Sequence, residues 1–286
     1  MKSYHLNFIL SLSLLIFLSC IGEPTPVQET SPLTQYPLSI GNSWEYQRIA
    51  QFTNFRPDSI RNRVRDTLDF TRINVTIPGM KELQSNKTAF ILQEKSMISP
   101  GTGIGSESYY TQDSYGLYLD AQMGKSIILP KNANTKIRFM ELHFRDINGL
   151  LTKLHIPQHV TAATSSDSIK LYNPPLKVLL YPLAPGKLWL YRAGDIPFQI
   201  TKKIDNRETV TIRAGNFTAD VVRLLYDLDN DGVWDPEIDI RDYYSSPGLI
   251  KRSILFRDLV VTDMNLSELG LVDYSEVSEL INYDIQ

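Results

Sequence analysis

The chain is poor in the residues that usually build metal and redox sites. Its 286 residues include a single cysteine, Cys20, and four histidines. With no second cysteine, an intrachain disulfide framework is excluded. Three of the histidines lie beyond the N-terminal segment, at His143, His155 and His159. Pro157 separates the last two, which disfavours a pair of zinc ligands on one helical turn.

Several signals of enzymes and nucleic-acid binders are also missing. The sequence has no G-x-S-x-G nucleophile elbow and no H-E-x-x-H motif. The formal net charge is -3 and no block of Lys and Arg occurs, so nucleic acid is not an expected partner. The alternating glycines of Ser99–Ser106 lack the strand–loop–helix setting of a phosphate loop. They favour a hairpin loop.

The N-terminal segment, residues 1–19, has the pattern of an export signal. Lys2 precedes an apolar run, Leu6–Leu18, that is too short to span a bilayer as a helix. Phe17-Leu18-Ser19-Cys20 resembles the lipobox of bacterial lipoproteins, although that motif usually has leucine at its first position. The resemblance implies cleavage before Cys20 and attachment of lipid to its sulfur. The alternatives are an ordinary signal peptide with an incidental cysteine, and an uncleaved anchor helix.

Residues 20–34 predict a lipidated cysteine followed by a flexible tether. The stretch after Cys20 is rich in Pro, Thr, Ser and Glu and has no apolar periodicity. Fully extended, a segment of this length reaches at most about 45–50 Å, so the folded body would lie close to the membrane. Ile21 occupies the position where Asp is associated with inner-membrane retention in enteric bacteria. We therefore expect the outer membrane, with the protein facing the periplasm or the cell surface.

Residues 35–286 predict a single β-rich domain. Helical periodicity is scarce, and apolar and polar residues alternate in many short runs, as in Thr209–Ile212. The fold expected is mostly β: an antiparallel curved sheet, an open barrel or a sandwich. Two related halves, residues 35–165 and 166–286, would divide at the Ser-rich stretch Thr161–Ser168. Predicted strands include Ser168–Tyr172, Phe198–Asp205, Glu208–Arg213, Asp220–Asp227, Ile240–Tyr244 and Glu276–Tyr283, with turns at Asp205-Asn206 and Ala214-Gly215-Asn216.

One pattern occurs twice. Tyr36–Tyr46 and Tyr181–Tyr191 both fit YPLxxGxxWxY, in which a Pro- and Gly-containing turn leads into a strand. Trp and Tyr two residues apart point to one face of such a strand. These aromatic side chains are interpreted as core-capping residues, and the alternative is a pair of platforms for a ligand.

Together with later motifs, this pattern resembles a group of uncharacterised bacterial lipoproteins. The group shows roughly PLxxGxxWxY, then VxxPAGxF, then YYAPGVGLVK. The corresponding segments here are Val210–Phe217 and Tyr243–Lys251. The chain departs from the group at Arg213, where the group tends to have Pro, and in the contracted Ser245–Gly248. The resemblance implies a β-rich envelope protein and no particular reaction.

An acidic segment, Asp227–Asp235, is the sharpest local signal. It reads DxDxDGxxD, with acids at positions 1, 3, 5 and 9, Gly232 at position 6, and a backbone carbonyl at Val233. Because Ca²⁺ takes six to eight oxygen ligands, Asp227, Asp229, Asp231, Val233 and Asp235 are the predicted calcium ligands. The segment resembles the calcium loops of EF-hands and dockerins.

Two features separate this segment from an EF-hand. Position 12 is Ile238, so Glu237 or Asp239 would have to supply the last carboxylate. The flanks, Val221–Tyr226 and Ile240–Tyr244, predict strands instead of helices. The expectation is a calcium-stapled hairpin loop with a structural role, and the alternative is a solvated acidic turn.

The functional expectation is a membrane-anchored envelope lipoprotein without enzymatic activity. It would bind an envelope protein or an apolar ligand, or serve a structural role. The rival hypotheses are an envelope hydrolase, in which Asp or Glu pairs would gather with His143 or His155, and a surface-displayed adhesion protein.

Overall fold

The computed structural model describes residues 32–64, 69–83, 86–97, 105–124, 136–139, 142–144, 150–151, 169–193, 199–263 and 265–286. Cys20, the predicted signal peptide, most of the tether and the Ser-rich stretch lie outside these residues, as do His155 and His159. In the part of the chain that the structure describes, no helix combines the length and the apolar character that a bilayer crossing requires.

The described residues form fourteen strands and one 3-10 helix, at Asp58–Ile60. The strands are β1 Ser43–Arg56, β2 Asp69–Glu82, β3 Thr88–Met97, β4 Gly105–Asp113, β5 Gly116–Gly124, β6 Lys136–Phe139, β7 Leu142–Phe144, β8 Lys170–Leu180, β9 Leu188–Arg192, β10 Gln199–Ile212, β11 Gly215–Asp227, β12 Ile238–Ser245, β13 Gly248–Thr262 and β14 Glu268–Asp284.

Twelve of these strands form one antiparallel sheet that curls into a nearly closed barrel, in the order β8-β5-β4-β3-β2-β1-β14-β13-β12-β11-β10-β9. β1–β5 form one meander and β9–β14 a second, and β1 joins them by pairing with β14. β6 pairs with β13 and β7 outside this path. Among the described residues, β8 and β9 form the two edges of this sheet, and we call the gap between them the seam. The predicted mostly β, curved, barrel-like fold is confirmed.

The strands are longer than the sequence predicts. β14 contains 17 residues, of which the predicted strand Glu276–Tyr283 covers only the second half. The predicted turn at Asp205-Asn206 is wrong, because β10 runs through it with a bulge between Ile204 and Asn206. The Asp205 carboxylate lies 2.9 Å from Lys203 Nζ, which keeps this polar pair on the strand surface. Short polar residues therefore mark a bulge here, and the strand continues beyond them.

Two apolar clusters fill opposite ends of the barrel. The near end, where the described chain begins, contains Leu33, Tyr36 and the start of β1 at Trp44. The far end contains the finish of β1 at Phe55 and the junction of β11 with β12 at Tyr226 and Ile238. Since the strands are antiparallel, chain direction assigns each connection to an end. The acidic loop, residues 227–235, therefore lies at the far end.

The first YPLxxGxxWxY copy is held by a small set of backbone bonds. Gly41 adopts a φ of 99° that favours glycine. Its N–H donates to Ile77 O over 2.9 Å, and Ile77 N–H donates back to Asn42 O over 3.0 Å. The Asn42 side chain donates to Pro37 O over 2.9 Å. These bonds connect the turn to β2 before β1 begins.

The second copy repeats this arrangement on another strand. Gly186 has a φ of 86°. Its N–H donates to Ile204 O over 2.7 Å, and Ile204 N–H donates to Lys187 O over 2.9 Å. The Lys187 ammonium donates to Pro182 O over 2.7 Å. The two copies therefore share one turn geometry. In each, the turn is hydrogen-bonded to the neighbour of the strand that it leads into: β2 beside β1, and β10 beside β9.

The paired aromatic residues belong to the core. Trp44 and Tyr46 are each 1% exposed, and Trp189 and Tyr191 are 7% and 6% exposed. The core-capping interpretation is confirmed, because side chains this deeply buried offer no open platform. The first copy also contacts the Tyr243–Lys251 motif and the second copy. The Trp44 indole N–H donates to Pro247 O, and Tyr181 Oη accepts the backbone N–H of Tyr36 over 2.8 Å.

Candidate functional site

The acidic loop connects β11 to β12 at the far end of the barrel. Asn230 and Gly232 both have positive φ, at 60° and 87°, which lets the chain reverse tightly. The reversal gathers Asp227, Asp229 and Asp231, and each offers a carboxylate oxygen within 4.8 Å of the other two. The structure therefore brings together three of the five predicted calcium ligands.

The loop's own backbone already donates to these carboxylates. Asp227 is buried, and its two oxygens accept the N–H groups of Asp231 and Gly232 over 3.1 and 2.9 Å. Asp231 accepts the N–H of Val233 over 2.8 Å. Each carboxylate oxygen has more than one lone pair, so these bonds are compatible with a cation. The same bonds would also stabilise an acidic turn that binds water and no cation.

Asp235 stands apart from this group. Its carboxylate accepts the N–H of Leu228 over 2.8 Å, and its own N–H donates to Tyr226 O over 2.8 Å. Burial raises the pKa of Asp235, the Leu228 N–H opposes that shift, and nearby acids including Asp229 add to it. Because these effects disfavour the ionised form of Asp235, a cation beside the carboxylate would stabilise it.

Of the two proposed substitutes for position 12, Asp239 is engaged outside the loop. The Asp239 carboxylate forms ion pairs with Arg241 at 3.0 Å and with Arg223 at 3.2 Å. It therefore belongs to the outer face of β11 and β12. Glu237 receives the backbone N–H of Arg257 at its carbonyl oxygen over 2.9 Å.

Cys20, His155 and His159 lie outside the described residues. His143 lies in β7, opposite Arg138 of β6. The glycine-rich segment is described only at its end, where Gly105 and Ser106 begin β4.

The sequence analysis missed an ionic cluster inside the barrel, formed by Glu94, Lys202, Asp242 and Arg252. All four are buried. The Arg252 guanidinium donates to both oxygens of Asp242, over 2.6 and 2.9 Å. A second ion pair, between the partly buried Arg48 and the buried Glu276, lies in the same interior with an N–O distance of 2.7 Å. The interior therefore contains a layer of ionisable residues, two ion pairs among them, between the two apolar clusters.

Burial shifts the pKa values of two residues in the cluster, Lys202 and Glu94. Burial lowers the pKa of Lys202 to about 8, and Asp242 partly opposes that shift. The Lys202 ammonium donates to Val178 O over 3.1 Å and lies 4.5 Å from the centre of the Tyr191 ring. Burial raises the pKa of Glu94 well above its usual value, and Arg252 only partly offsets this. This carboxyl therefore tends to stay neutral.

A signal for the cluster does exist in the strand pattern. Arg252 has the same phase along β13 as the buried Ile250 and Ile254. Lys202 has the same phase as the buried Ile200 and Ile204 of β10. A charged residue in the inward phase of a strand marks a polar interior, because successive side chains alternate between faces.

Comparisons with known proteins yield two structures of low similarity. No model of a known protein family matches the chain, and no curated protein matches it. One similar structure is a Bacteroides fragilis protein provisionally described as exported, with a YmcC-like fold; it shares 11% identity, with a TM-score of 0.39 over 88% of this chain and 99% of that one. The other is a Parabacteroides distasonis protein provisionally described as a lipoprotein, with 11% identity and a TM-score of 0.37 over 90% and 100% of the two chains. Similarity at this level supports no inference about function, and the motif resemblance to a lipoprotein group stays a prediction.

Proposed function

We propose that the protein is a bacterial envelope lipoprotein, anchored through lipid on Cys20, whose β-rich body binds a partner protein and catalyses no reaction. The anchor is supported by the apolar run and Phe17-Leu18-Ser19-Cys20. One structural observation connects anchor and body. Leu33 and Tyr36 are buried at the near end, so the tether joins the body there. The near end would then be tied to the membrane, with the acidic loop at the opposite end.

The interior favours a partner protein over an apolar cargo. The largest fully buried side chains include Trp44, Tyr46, Tyr226, Tyr274 and Phe256, which come from β1, β11, β13 and β14. The buried ion pair Arg252–Asp242 and the partly buried pair Arg48–Glu276 lie among them. A lipid placed there would have to displace packed aromatic rings and desolvated charges, which is costly. The outer surface is therefore the proposed binding surface.

Membrane anchoring can be tested with the full chain expressed in a bacterium. The wild-type protein should fractionate with the membranes and require detergent for release. A Cys20→Ser chain should lose lipid labelling while its body keeps the same melting temperature. Equal incorporation of labelled palmitate by both chains would contradict the proposal. Protease treatment of intact cells would separate display on the surface from a periplasmic orientation.

We also propose that the acidic loop binds Ca²⁺ as a structural ion, through Asp227, Asp229 and Asp231 with Val233 and Asp235 completing the shell. The grouping of three carboxylates within 4.8 Å supports this proposal. Because extracellular calcium modules often bind at about 10⁻⁴–10⁻³ M, a titration must reach millimolar calcium. Addition of Ca²⁺ should raise the melting temperature of the wild type.

The calcium response has a matched control. Asp229→Ala should abolish the calcium-dependent rise in melting temperature. Asp284→Ala removes an exposed acid at the near end, and should leave that rise intact. Absence of a calorimetric signal for the wild type, or an equal loss in both variants, would reject the site.

A further inference from the structure

We propose that the barrel interior binds one small oxyanion, a phosphate or a carboxylate, between the guanidinium groups of Arg48 and Arg252 and beside the hydroxyl of Ser278. The site lies in the layer of ionisable residues between the two apolar clusters. It goes beyond the proposed binding of a partner protein on the outer surface and does not depend on it. Unlike an apolar cargo, an oxyanion would meet charged and polar groups that are already in place.

Strand pairing places these three residues side by side. Ser278 of β14 lies opposite Arg48 of β1 on one side and opposite Arg252 of β13 on the other. Residues directly opposite one another in an antiparallel pair have Cβ atoms about 4.5–5.5 Å apart. Each of the three shares its phase with buried residues two positions away, so all three side chains point inward. Two arginines therefore flank one serine on the inner wall of the barrel.

The Ser278 hydroxyl is buried without a protein partner. Ser278 is 0% exposed, and its Oγ has no hydrogen-bond partner among the residues that the structure describes. The same holds for Ser96 Oγ, two residues from Glu94 on the inward phase of β3. A buried hydroxyl without a partner is costly, and in native proteins such groups bond to other protein atoms or to ordered small molecules. These hydroxyls therefore indicate a polar guest, which is either an oxyanion or water.

The charge of the layer favours the oxyanion over water. The layer contains three basic and three acidic side chains: Arg48, Lys202, Arg252, Glu94, Asp242 and Glu276. Burial raises the pKa of Glu94 well above its usual value, so this carboxyl is neutral, whereas Lys202, with a pKa of about 8, is mostly protonated at pH 7. Three positive charges against two negative ones leave one positive charge in excess. A buried charge without compensation is costly, and an anion removes that cost whereas a water molecule does not.

The binding groups are held in place before any ligand arrives. The Asp242 carboxylate lies 2.6 Å from Arg252 Nε, and the Glu276 carboxylate lies 2.7 Å from Arg48 Nη2. Guanidinium groups recognise the oxygens of carboxylates and phosphates through paired N–H donors. Two fixed guanidinium groups and one hydroxyl therefore form a preorganised set of donors, which lowers the entropic cost of binding.

The seam is the route by which an ion would reach this layer. Within the described residues, no backbone ladder joins β8 to β9. Two side chains bond across the gap instead: the Trp189 indole N–H donates to Lys177 O over 2.9 Å, and the Lys202 ammonium donates to Val178 O over 3.1 Å. Since Lys202 belongs both to the layer and to the seam, an anion that enters there passes a cationic side chain.

Equilibrium dialysis of the full chain in detergent tests the site, with radiolabelled inorganic phosphate and radiolabelled acetate as separate probes at constant ionic strength. The wild type should retain about one anion per chain, with a Kd at or below about 1 mM. Retention of phosphate alone would support the site and identify a phosphate-type ligand. Retention of acetate would support it and identify a carboxylate.

A variant of Ser278 locates the site. Ser278→Ala should weaken binding of the retained anion at least about tenfold, because it deletes a hydrogen bond to a charged ligand. It should fold normally, and its melting temperature in the absence of the anion should not fall. Ser275→Ala is the matched control, since Ser275 is a half-buried serine of the same strand with the outward phase. It should bind like the wild type.

Three results would overturn the proposal. A wild type that retains neither anion at about 10 mM would show that the buried hydroxyls bind water only. Unchanged binding in Ser278→Ala would place the anion elsewhere on the protein. An equal loss in Ser278→Ala and Ser275→Ala would attribute the effect to the strand and not to the inner wall.

Discussion

Removal of one partner from the buried pair Arg252–Asp242 should destabilise the protein more than removal of one partner from an exposed pair. The side chains of Arg252 and Asp242 are 7% and 0% exposed, and the guanidinium bonds both carboxylate oxygens. Arg252→Met keeps much of the side-chain volume and removes both guanidinium hydrogen bonds from the buried Asp242 carboxylate. Loss of one partner from a buried pair costs about 3–5 kcal/mol. That is a large share of the roughly 5–15 kcal/mol that stabilises a typical domain.

Urea unfolding followed by tryptophan fluorescence measures this cost. Arg72→Met is the matched control, because Arg72 is 66% exposed and lies 3.4 Å from Glu45. It should cost less than about 1 kcal/mol. The double variant Arg252→Met with Asp242→Leu should recover much of the loss, since it removes the stranded charge. If Arg252→Met and Arg72→Met lower the free energy of unfolding by the same amount, the interpretation of Arg252 as the partner of a buried charge is refuted.

Three further predictions concern Lys202, a glycine and the acidic loop. Burial lowers the folded-state pKa of Lys202 to about 8, against 10.5 in the unfolded chain. The unfolded chain therefore binds more protons between these values, and stability should rise with pH, by about 2 kcal/mol from pH 7.5 to 9.5. Lys202→Met should remove this rise in urea titrations at several pH values, and an unchanged rise would contradict the assignment. Gly248→Ala should lower the unfolding free energy by about 1–3 kcal/mol, because φ is 100° and a Cβ would lie 3.0 Å from the Tyr36 ring. Gly186→Ala, with φ of 86° and no atom within 4 Å of its Cβ, should cost less, and an equal loss would reject the ring contact as a cause. In the acidic loop, the calcium-dependent rise in melting temperature should disappear in Asp229→Ala and persist in Asp284→Ala, as differential scanning calorimetry can show.

The sequence predicts the β character and the paired turns because those depend on local chemistry. Alternation along β13 and the glycines at Gly41 and Gly186 are visible without knowledge of the fold. The polar bulge after Ile204 looks like a turn, since Asp and Asn favour both. Strand order depends on long-range pairing, so β1 joining β14 has no local signal.

The candidate site likewise has one part that the sequence predicts and another that it does not. The acidic loop is recognisable because its ligands lie within nine residues, and the structure gathers three of them. The ionic cluster draws on Glu94 of β3, Lys202 of β10, Asp242 of β12 and Arg252 of β13, so only the closed sheet brings it together. The seam likewise appears only when the order of all twelve strands is known.

The most direct test of the account is the mass of the N-terminal peptide from protein extracted from bacterial membranes. Lipid anchoring requires a peptide that begins at Cys20 and carries a diacylglyceryl group on its sulfur. An N terminus at Met1, or a peptide with an unmodified Cys20 thiol, would contradict the anchor and with it the proposed role in the envelope.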